Sequence, residues 1–384
     1  MPDRMTIVQL VPSLESGGVE RGTLEVGEEL VRRGHRSIVI SAGGRLVPQL
    51  TAHGSEHHTW NIGSKNPLTL LQVPKLRRFL CEQNIDIVHA LSRVPAWVGY
   101  LAWRGMKDAS RPRFLTTVQG LHSVNWFSAV MTRGERVIAI SETVRDYITN
   151  GYPKTQGERI RLIKLGVDPS QFPFGYHPTP DWRMRWFADY PQLEGRPVIT
   201  LPGRLTRLKG HHDFVELMSR LKQRGSHAIG LIVGDEDPRR RAYAQEIRRR
   251  VAELKLDNIV FTGYRGDIRE VLSVSDLVLS LSTQPESFGR TVLEALSLGV
   301  PVIGYDHGGV GEILREVFPA GAVKLSDLDA LTAKVQAFLA AKPVVPEHHN
   351  LTLRHTLDAL LALYDELATQ RRAAGTGQAP SLNG

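Results

Sequence analysis

The chain has 384 residues, 41% of them hydrophobic, which is enough for two or three domains with substantial cores and excludes a disordered chain. Its single cysteine, Cys81, excludes an intrachain disulfide scaffold and favours a reduced, cytoplasmic protein. No apolar run approaches the roughly twenty residues of a membrane-spanning helix. We therefore expect a cytoplasmic protein, peripheral at most on the inner face of a membrane.

The formal net charge of +8 lies mainly in the first half. Through Gly175 there are 22 lysine and arginine residues against 15 aspartate and glutamate residues. Such a surplus favours an anionic membrane surface or an acidic acceptor as partner. Nucleic acid is not expected, because the sequence has no zinc-ligand cluster, recognition helix or aromatic RNA motif.

Two segments of the first half fit a membrane interface. Residues 74–80 mix basic and apolar positions on a predicted helix, and Asn125-Trp126-Phe127 places aromatic residues in a predicted loop. The alternative for the helix is an ordinary basic surface with its apolar residues, Leu76, Phe79 and Leu80, in the core.

Apolar runs alternate with amphipathic stretches along the chain, which predicts parallel sheets wrapped by helices in an α/β fold. The rhythm occurs twice, and each occurrence predicts one Rossmann-like domain. The predicted strands are residues 6–11, 37–41, 85–90, 114–118 and 137–140, then 198–201, 229–233, 258–261, 277–281 and 301–305.

Prolines cluster at 169–173 and 178–191, and we place the domain boundary near Tyr176. This gives an amino-terminal domain of residues 1–175 and a second domain of residues 176–346. Residues 372–384, rich in Gly, Ala, Pro and Ser, are predicted to form a flexible tail.

Glycine turns precede predicted helices at two places. The amides of Gly17 and Gly18 could meet a phosphate at a helix start, or the pair could be a plain strand-to-helix turn. His307-Gly308-Gly309 is predicted to be a structural turn.

A basic loop follows the predicted strand 198–201. After Gly203, Arg204 could fork onto phosphate oxygens and Lys209 could add a compact charge, so the two could neutralise a diphosphate without a metal. Solvated surface cations are the alternative.

An acidic loop and helix start lie further along. Glu286 and Glu294 bracket Gly289 and an apolar run. Backbone N–H groups there could hold a diphosphate while the two acids grip sugar hydroxyls, which predicts a nucleotide-sugar site. The alternative is an amphipathic helix with two solvated acids.

Taken together, these motifs resemble family four of the retaining glycosyltransferases, which have the GT-B fold. The resemblance rests on Gly17-Gly18-Val19-Glu20, Gly203-Arg204 with Lys209-Gly210, Gly234-Asp235, Phe261-Thr262-Gly263-Tyr264, and the Glu286 and Glu294 pair. It implies two facing Rossmann-like domains, with a helix at residues 347–371 that crosses back to the first.

The resemblance also implies site roles. Arg204, Lys209 and Glu286 would be catalytic, Glu286 by contacting the donor sugar, and Glu294 would bind the ribose. Other residues expected at the donor are Gly17, Gly18, Gly203, Tyr264, Arg265, Phe288, Gly289, Arg290 and Thr291, with Tyr264 or Arg265 stacking on the base. The nucleotide sugar is a co-substrate, and no cofactor or metal is expected.

One position departs from the family pattern. Many members carry a histidine after the fourth strand, where this chain has Gln119. Either Gln119 supplies a neutral hydrogen bond or His122 substitutes from a shifted loop. His89, at a predicted strand end, is expected to shape the acceptor site.

The implied function is retaining transfer of a hexosyl group, with a UDP-linked donor favoured, to a cell-envelope glycan or glycolipid. Lipopolysaccharide core is one candidate acceptor. The alternatives are a nucleotide-sugar epimerase of the same fold and a non-catalytic basic binding protein.

Overall fold

The computed structural model describes residues 4–15, 17–108, 111–236 and 241–375. The chain forms two compact units. Unit 1 runs to Lys164 and resumes at Arg354, and unit 2 is Leu165–Leu353. Each unit contains one sheet with helices against it, as the repeated rhythm of the sequence predicts.

The sheet of unit 1 is parallel throughout, with strand order β3-β2-β1-β4-β5-β6-β7. Its strands are β1 (Thr6–Leu10), β2 (Arg36–Ser41), β3 (Glu56–Thr59), β4 (Ile87–Ala90), β5 (Arg113–Val118), β6 (Arg136–Ala139) and β7 (Ile160–Leu162). Its helices are α1 (Gly18–Arg32), α2 (Val47–Ala52), α3 (Gln72–Glu82), α4 (Arg93–Arg104) and α5 (Glu142–Gly151).

Unit 2 has a parallel sheet with strand order β10-β9-β8-β11-β12-β13. The strands are β8 (Val198–Pro202), β9 (Ile229–Val233), β10 (Ile259–Gly263), β11 (Leu277–Ser280), β12 (Val302–Tyr305) and β13 (Ala322–Val323). Its helices are α6 (Pro180–Asp189), α7 (His211–Gln223), α8 (Arg241–Glu253), α9 (Ile268–Ser273), α10 (Arg290–Ser297), α11 (Gly308–Val317) and α12 (Leu328–Ala340).

Most strands that the sequence predicts are buried on both faces, where apolar residues run almost continuously, and the edge strand β10 is the exception. Every residue of β8 and β9 is buried. Sequence analysis missed three strands at or near the sheet edges. β3 has the sequence EHHT, and β7 and β13 have three and two residues, so none carries an apolar run.

The last helix, α13 (Leu353–Gly375), packs on the sheet of unit 1 although it follows unit 2 in the chain. Its apolar residues join a core with strand residues of unit 1; from α13 these are Leu360, Leu361, Leu363, Tyr364, Leu367 and Ala368. The helix begins later than residue 347, because Thr352 forms an extended bridge with Val167 and the N–H of Leu353 donates to the Val167 carbonyl.

The predicted boundary at Tyr176 lies inside unit 2. Of the predicted tail, residues 372–375 belong to α13, and residues 376–384 lie outside the described residues.

Two expectations for unit 1 are corrected. Helix α3 buries Leu76, Phe79 and Leu80, so the core interpretation of this helix is right and the membrane-facing one is wrong. His89 is also buried, with one ring nitrogen hydrogen-bonded to Tyr364 at 2.7 Å and the other to Thr117 at 2.6 Å. It cannot reach an acceptor, and burial lowers the pKa of His89 to about 3.

Among the helices described, none is long and apolar enough to cross a bilayer.

The hydrogen bond between Tyr364 and His89 is expected to stabilise the docking of α13. Tyr364→Phe leaves a buried ring nitrogen unsatisfied, so the free energy of unfolding should fall by about 1–3 kcal/mol in urea titrations. Tyr243→Phe is the matched control. The hydroxyl of Tyr243 is buried without a partner in the described part of the chain, so its removal should be neutral or stabilising. Equal losses from the two variants would contradict this account.

Candidate functional site

The predicted motifs of unit 2 meet where the strand order of its sheet reverses. From β8 the chain builds outward through β9 to β10, and β11 then returns to the other side of β8 before β12 and β13. In open parallel sheets such a reversal leaves a crevice at the carboxyl ends of the strands, where ligands bind. The basic loop follows β8 and the acidic loop follows β11, so both lie at this crevice.

Lys209 and Glu286 form an ion pair in the crevice. The Lys209 ammonium nitrogen lies 2.7 Å from Oε1 of Glu286, although the residues are 77 positions apart. Ser282, at the start of the same acidic loop, also donates its hydroxyl to this oxygen. The structure therefore brings together two of the three predicted catalytic residues.

The surroundings of Glu286 hold its carboxyl in the ionised form. Burial alone would raise its pKa, but the positive charge of Lys209 and the hydrogen bonds from Lys209 and Ser282 outweigh burial, with a smaller contribution from His307. The net effect lowers the pKa of Glu286 below the ordinary glutamate value. At neutral pH this side chain accepts hydrogen bonds and does not donate them.

The basic loop is shaped around the Lys209 side chain. Gly203 has a φ of 139°, and a Cβ at this position would lie 3.2 Å from Cδ and Cε of Lys209. The N–H of Thr283 donates to the Leu208 carbonyl at 2.8 Å, which joins the basic loop to the acidic one. Arg204 is exposed beside Gly203 and forms no ion pair within the described ranges.

The turn before α11 supports the acidic loop from behind. The N–H of Gly309 donates to the Glu286 carbonyl at 2.8 Å, and the His307 ring is hydrogen-bonded to the Ser282 carbonyl at 2.6 Å. Gly308 has a φ of 58°, and a Cβ there would come within 2.8 Å of the Glu286 nitrogen. The turn is structural, as predicted, but sequence analysis missed that it supports Glu286.

Sequence analysis also missed Ser282. The signal in the sequence was the position of Ser282, which lies four residues before Glu286 and two residues after the end of the buried strand β11. A serine near a strand end is so common that this signal is weak without the fold.

Helix α10 begins beside Glu286. Gly289, with a φ of 112°, is its N-cap, and the first intrahelical bond is donated by Val292 to the Gly289 carbonyl. The N–H groups of Arg290 and Thr291 precede that bond, so they lie in the helix's positive end. Phe288 is buried.

Glu294 is almost completely buried, at 2% exposed, and pairs with Arg290 one turn earlier at 3.2 Å. A ribose would contact its carboxylate only after the Arg290 side chain or the loop has shifted.

The loop after β10 contains both predicted base-stacking residues, and one of them is exposed to solvent. Tyr264 is exposed. Arg265 forks onto Asp267 at 2.8 and 2.5 Å, and its guanidinium lies 5.1 Å from the Trp186 ring centre. These contacts hold Arg265 against Asp267 and Trp186 of its own unit, and its stacking on a base stays a prediction.

Unit 1 holds the remaining predicted site residues. Gly17 caps α1, but the Glu20 carboxylate folds over it, because a Cβ on Gly17 would lie 2.2 Å from Glu20 Oε2. A phosphate at Gly17 and Gly18 would therefore meet a like charge unless Glu20 moved away.

The loop after β5 contains both candidates for the family histidine. The His122 ring packs over Gly120, and Gln119 lies between them and the strand. Partial burial and the neighbouring Arg93 guanidinium lower the pKa of His122, which keeps the imidazole neutral at pH 7.

Both units of the chain match models of known protein families. A family model described as Glycosyl transferases group 1 matches residues 183–352, and one described as Glycosyltransferase Family 4 matches residues 16–171. A glycosyltransferase structure from Rickettsia africae ESF-5 has a TM-score of 0.83 and 31% identity, covering 95% of this chain and 99% of that one.

Two further proteins are similar at lower identity. N-acetyl-alpha-D-glucosaminyl L-malate synthase of Bacillus anthracis is 26% identical over 317 residues, which are 79% of each chain. The structure of Anabaena HepE in complex with UDP-glucose has a TM-score of 0.74 and 20% identity, covering 97% of this chain and all of that one.

The glycine turn behind Glu286 leads to a prediction on stability. Gly308→Ala should lower the free energy of unfolding through backbone strain of about 1–2 kcal/mol and through the clash with the Glu286 backbone. Gly225→Ala is the matched control, because Gly225 has a φ of 78° but open space around its Cβ position. The loss at Gly308 should exceed that at Gly225 in urea unfolding, and equal losses would mean that the turn does not press on the acidic loop.

Proposed function

The chain belongs to family four of the retaining glycosyltransferases, which have the GT-B fold, and on that premise we propose that the crevice of unit 2 binds a nucleotide sugar. Its sugar is then transferred to a cell-envelope glycan or glycolipid. The ion pair between Lys209 and Glu286 is the observation that carries this proposal, because it sets a cation for a diphosphate beside an ionised acid for sugar hydroxyls.

In the proposed reaction the acceptor hydroxyl attacks the face from which the diphosphate leaves. Negative charge grows on the departing diphosphate, and Lys209 and Arg204 neutralise it. The leaving phosphate takes the acceptor proton. We propose no metal or cofactor for this step, since two cations already lie at the basic loop.

Glu286 positions the donor in this proposal and is not a nucleophile. Its ionised carboxylate accepts hydrogen bonds from sugar hydroxyls, and Ser282 and Lys209 fix its orientation. A retaining reaction through a covalent sugar would need a second carboxylate near the reacting carbon.

The rest of the donor extends along the crevice. The amides of residues 288–291 approach the sugar and diphosphate at the start of α10, Gly203 leaves room beside Lys209, and Glu294 binds the ribose once Arg290 has shifted. The base lies by Tyr264. We propose uracil, and the shared fold with HepE, which was solved with UDP-glucose, supports that choice.

The acceptor is proposed to be acidic, because unit 1 carries most of the positive charge. A phosphorylated envelope glycolipid, such as lipopolysaccharide core, fits this requirement, and the B. anthracis relative is named for an acidic acceptor, L-malate. Gln119 and His122 are proposed to lie near the reacting carbon.

Donor turnover that needs an added acceptor would separate this function from that of an epimerase, which needs none.

Loss of the site cation should depress transfer strongly. Lys209→Met is expected to lower kcat by about 10²-fold in a radiolabelled-sugar transfer assay over a panel of UDP-, GDP- and ADP-sugars, because Lys209 acts on charge that develops in the transition state. Lys222→Met is the control, since Lys222 pairs with Asp257 at the same 2.7 Å distance elsewhere in unit 2. Equal activity of the two variants would rule out the proposed role of Lys209.

The pH profile should report the ionisation of Glu286. The carboxylate is active when ionised, so activity is lost as the pH falls through its lowered pKa. Ser282→Ala removes one hydrogen bond to the ionised form, which raises the pKa and moves the acid limb of kcat/KM to higher pH. Ser273→Ala, whose hydroxyl donates to the Glu270 carbonyl, should leave the limb in place. An unmoved limb in Ser282→Ala would argue against Glu286 as the titrating group.

A further inference from the structure

Unit 1 contains an apolar pocket that the proposed donor site does not use. Its volume is about 480 Å³, and it lies between the segment 64–70 and one flank of α4. The surface of its walls is almost entirely apolar. The large apolar side chains that line it are Leu70, Val94, Trp97, Leu101, Trp126 and Phe127.

The rim of this pocket exposes large apolar side chains to solvent. Leu70 is 49% exposed and Trp126 is 76% exposed, and both line the pocket. Leu70 belongs to the 3-10 helix Pro67–Leu71, which precedes α3, and two other leucines of this helix, Leu68 and Leu71, are also exposed. Large apolar side chains exposed around an apolar pocket mark an interaction surface.

A second pocket, of about 500 Å³, has a mixed polar and apolar lining with several cations and lies on another flank of α4. Arg133, Lys154 and Arg159 line it. In the described part of the chain none of these three side chains forms an ion pair with a carboxylate. The pocket therefore presents unneutralised positive charge, which suits an anionic group.

The two pockets are neighbours, because Arg133 of the cationic pocket lies close to an aromatic residue of the apolar one. The Arg133 guanidinium lies 5.9 Å from the Trp97 ring centre, in the apolar pocket, and 5.3 Å from the Tyr100 ring centre, in the cationic one. The two rings are 6.4 Å apart. Neighbouring apolar and cationic pockets of this kind suit the two ends of one amphiphile.

We propose that this face of unit 1 binds an anionic phospholipid at the surface of a bilayer. An acyl chain fills the apolar pocket, the phosphate lies against Arg133, Lys154 and Arg159, and Trp126 enters the interfacial layer. Charge complementarity identifies the occupant, because an apolar pocket alone would suit a neutral partner, whereas the adjoining cations select a lipid with a negative head group.

The proposal deepens the proposed function and rests on it, because it brings the enzyme to a membrane that carries a glycolipid acceptor. Binding to lipid and turnover of donor are measured separately, however. Sugar transfer to a water-soluble acceptor tests the first proposal without a membrane, and vesicle binding tests the second without a donor.

Vesicle flotation of the full chain tests the lipid site. Vesicles of phosphatidylcholine with phosphatidylglycerol should bind the protein, and vesicles of phosphatidylcholine alone should bind it much more weakly. Leu70→Ser and Trp126→Ser should each weaken binding to the anionic vesicles about tenfold, through lost apolar contact. Lys154→Glu should weaken it about fivefold or more, because each basic residue near an anionic surface contributes to binding.

Matched controls lie in unit 2. Val344→Ser replaces a side chain that is 92% exposed, and Lys342→Glu reverses an exposed charge. Both should bind like the wild type. All substituted side chains are exposed, so unchanged urea unfolding should confirm that each variant folds.

Three results would overturn the proposal. These are equal binding to neutral and anionic vesicles, wild-type binding by the three unit 1 variants, and loss of binding in the unit 2 controls. Capture of a purified protein partner at this face, with no vesicle binding, would also overturn it.

Discussion

The ion pair between Lys209 and Glu286 depends on the strand order of the unit 2 sheet. Because β11 returns beside β8, the loops after these two strands emerge next to each other, and residues 77 positions apart come within 2.7 Å. If β11 instead paired with β10 at the sheet edge, strands β9 and β10 would lie between β8, which precedes the cation, and β11, which precedes the acid. The other contacts of the crevice follow from this adjacency, including the bond from Thr283 to Leu208.

The ion pair also solves an electrostatic problem that the crevice creates. A largely buried carboxylate is costly to ionise, and without a nearby cation Glu286 would hold a proton at higher pH. Lys209 and Ser282 keep it ionised, and His307 and Gly309 fix the loop that carries it. The acid is thus held as a hydrogen-bond acceptor, which in the proposed function serves sugar hydroxyls, and the cation beside it is the one proposed to meet the diphosphate charge.

Sequence analysis predicted the parts of the molecule that local patterns encode. Strands buried on both faces have continuous apolar runs, and the loops that carry Lys209 and Glu286 combine charged residues with glycine turns, so sequence patterns reveal both. Edge strands such as β3 lack that pattern. His89 and Arg265 were assigned to ligands because their chain positions lie at strand ends, but their partners, Tyr364 and Asp267, come from packing that no local pattern reveals.

The measurement that tests the central claim most directly is a crystal structure of the protein with an unhydrolysable UDP-sugar analogue. The account predicts diphosphate oxygens within hydrogen-bonding distance of Lys209 and Arg204, and a sugar hydroxyl bonded to Glu286. A nucleotide sugar bound away from the loops after β8 and β11 would contradict it, because the ion pair would then be a structural contact.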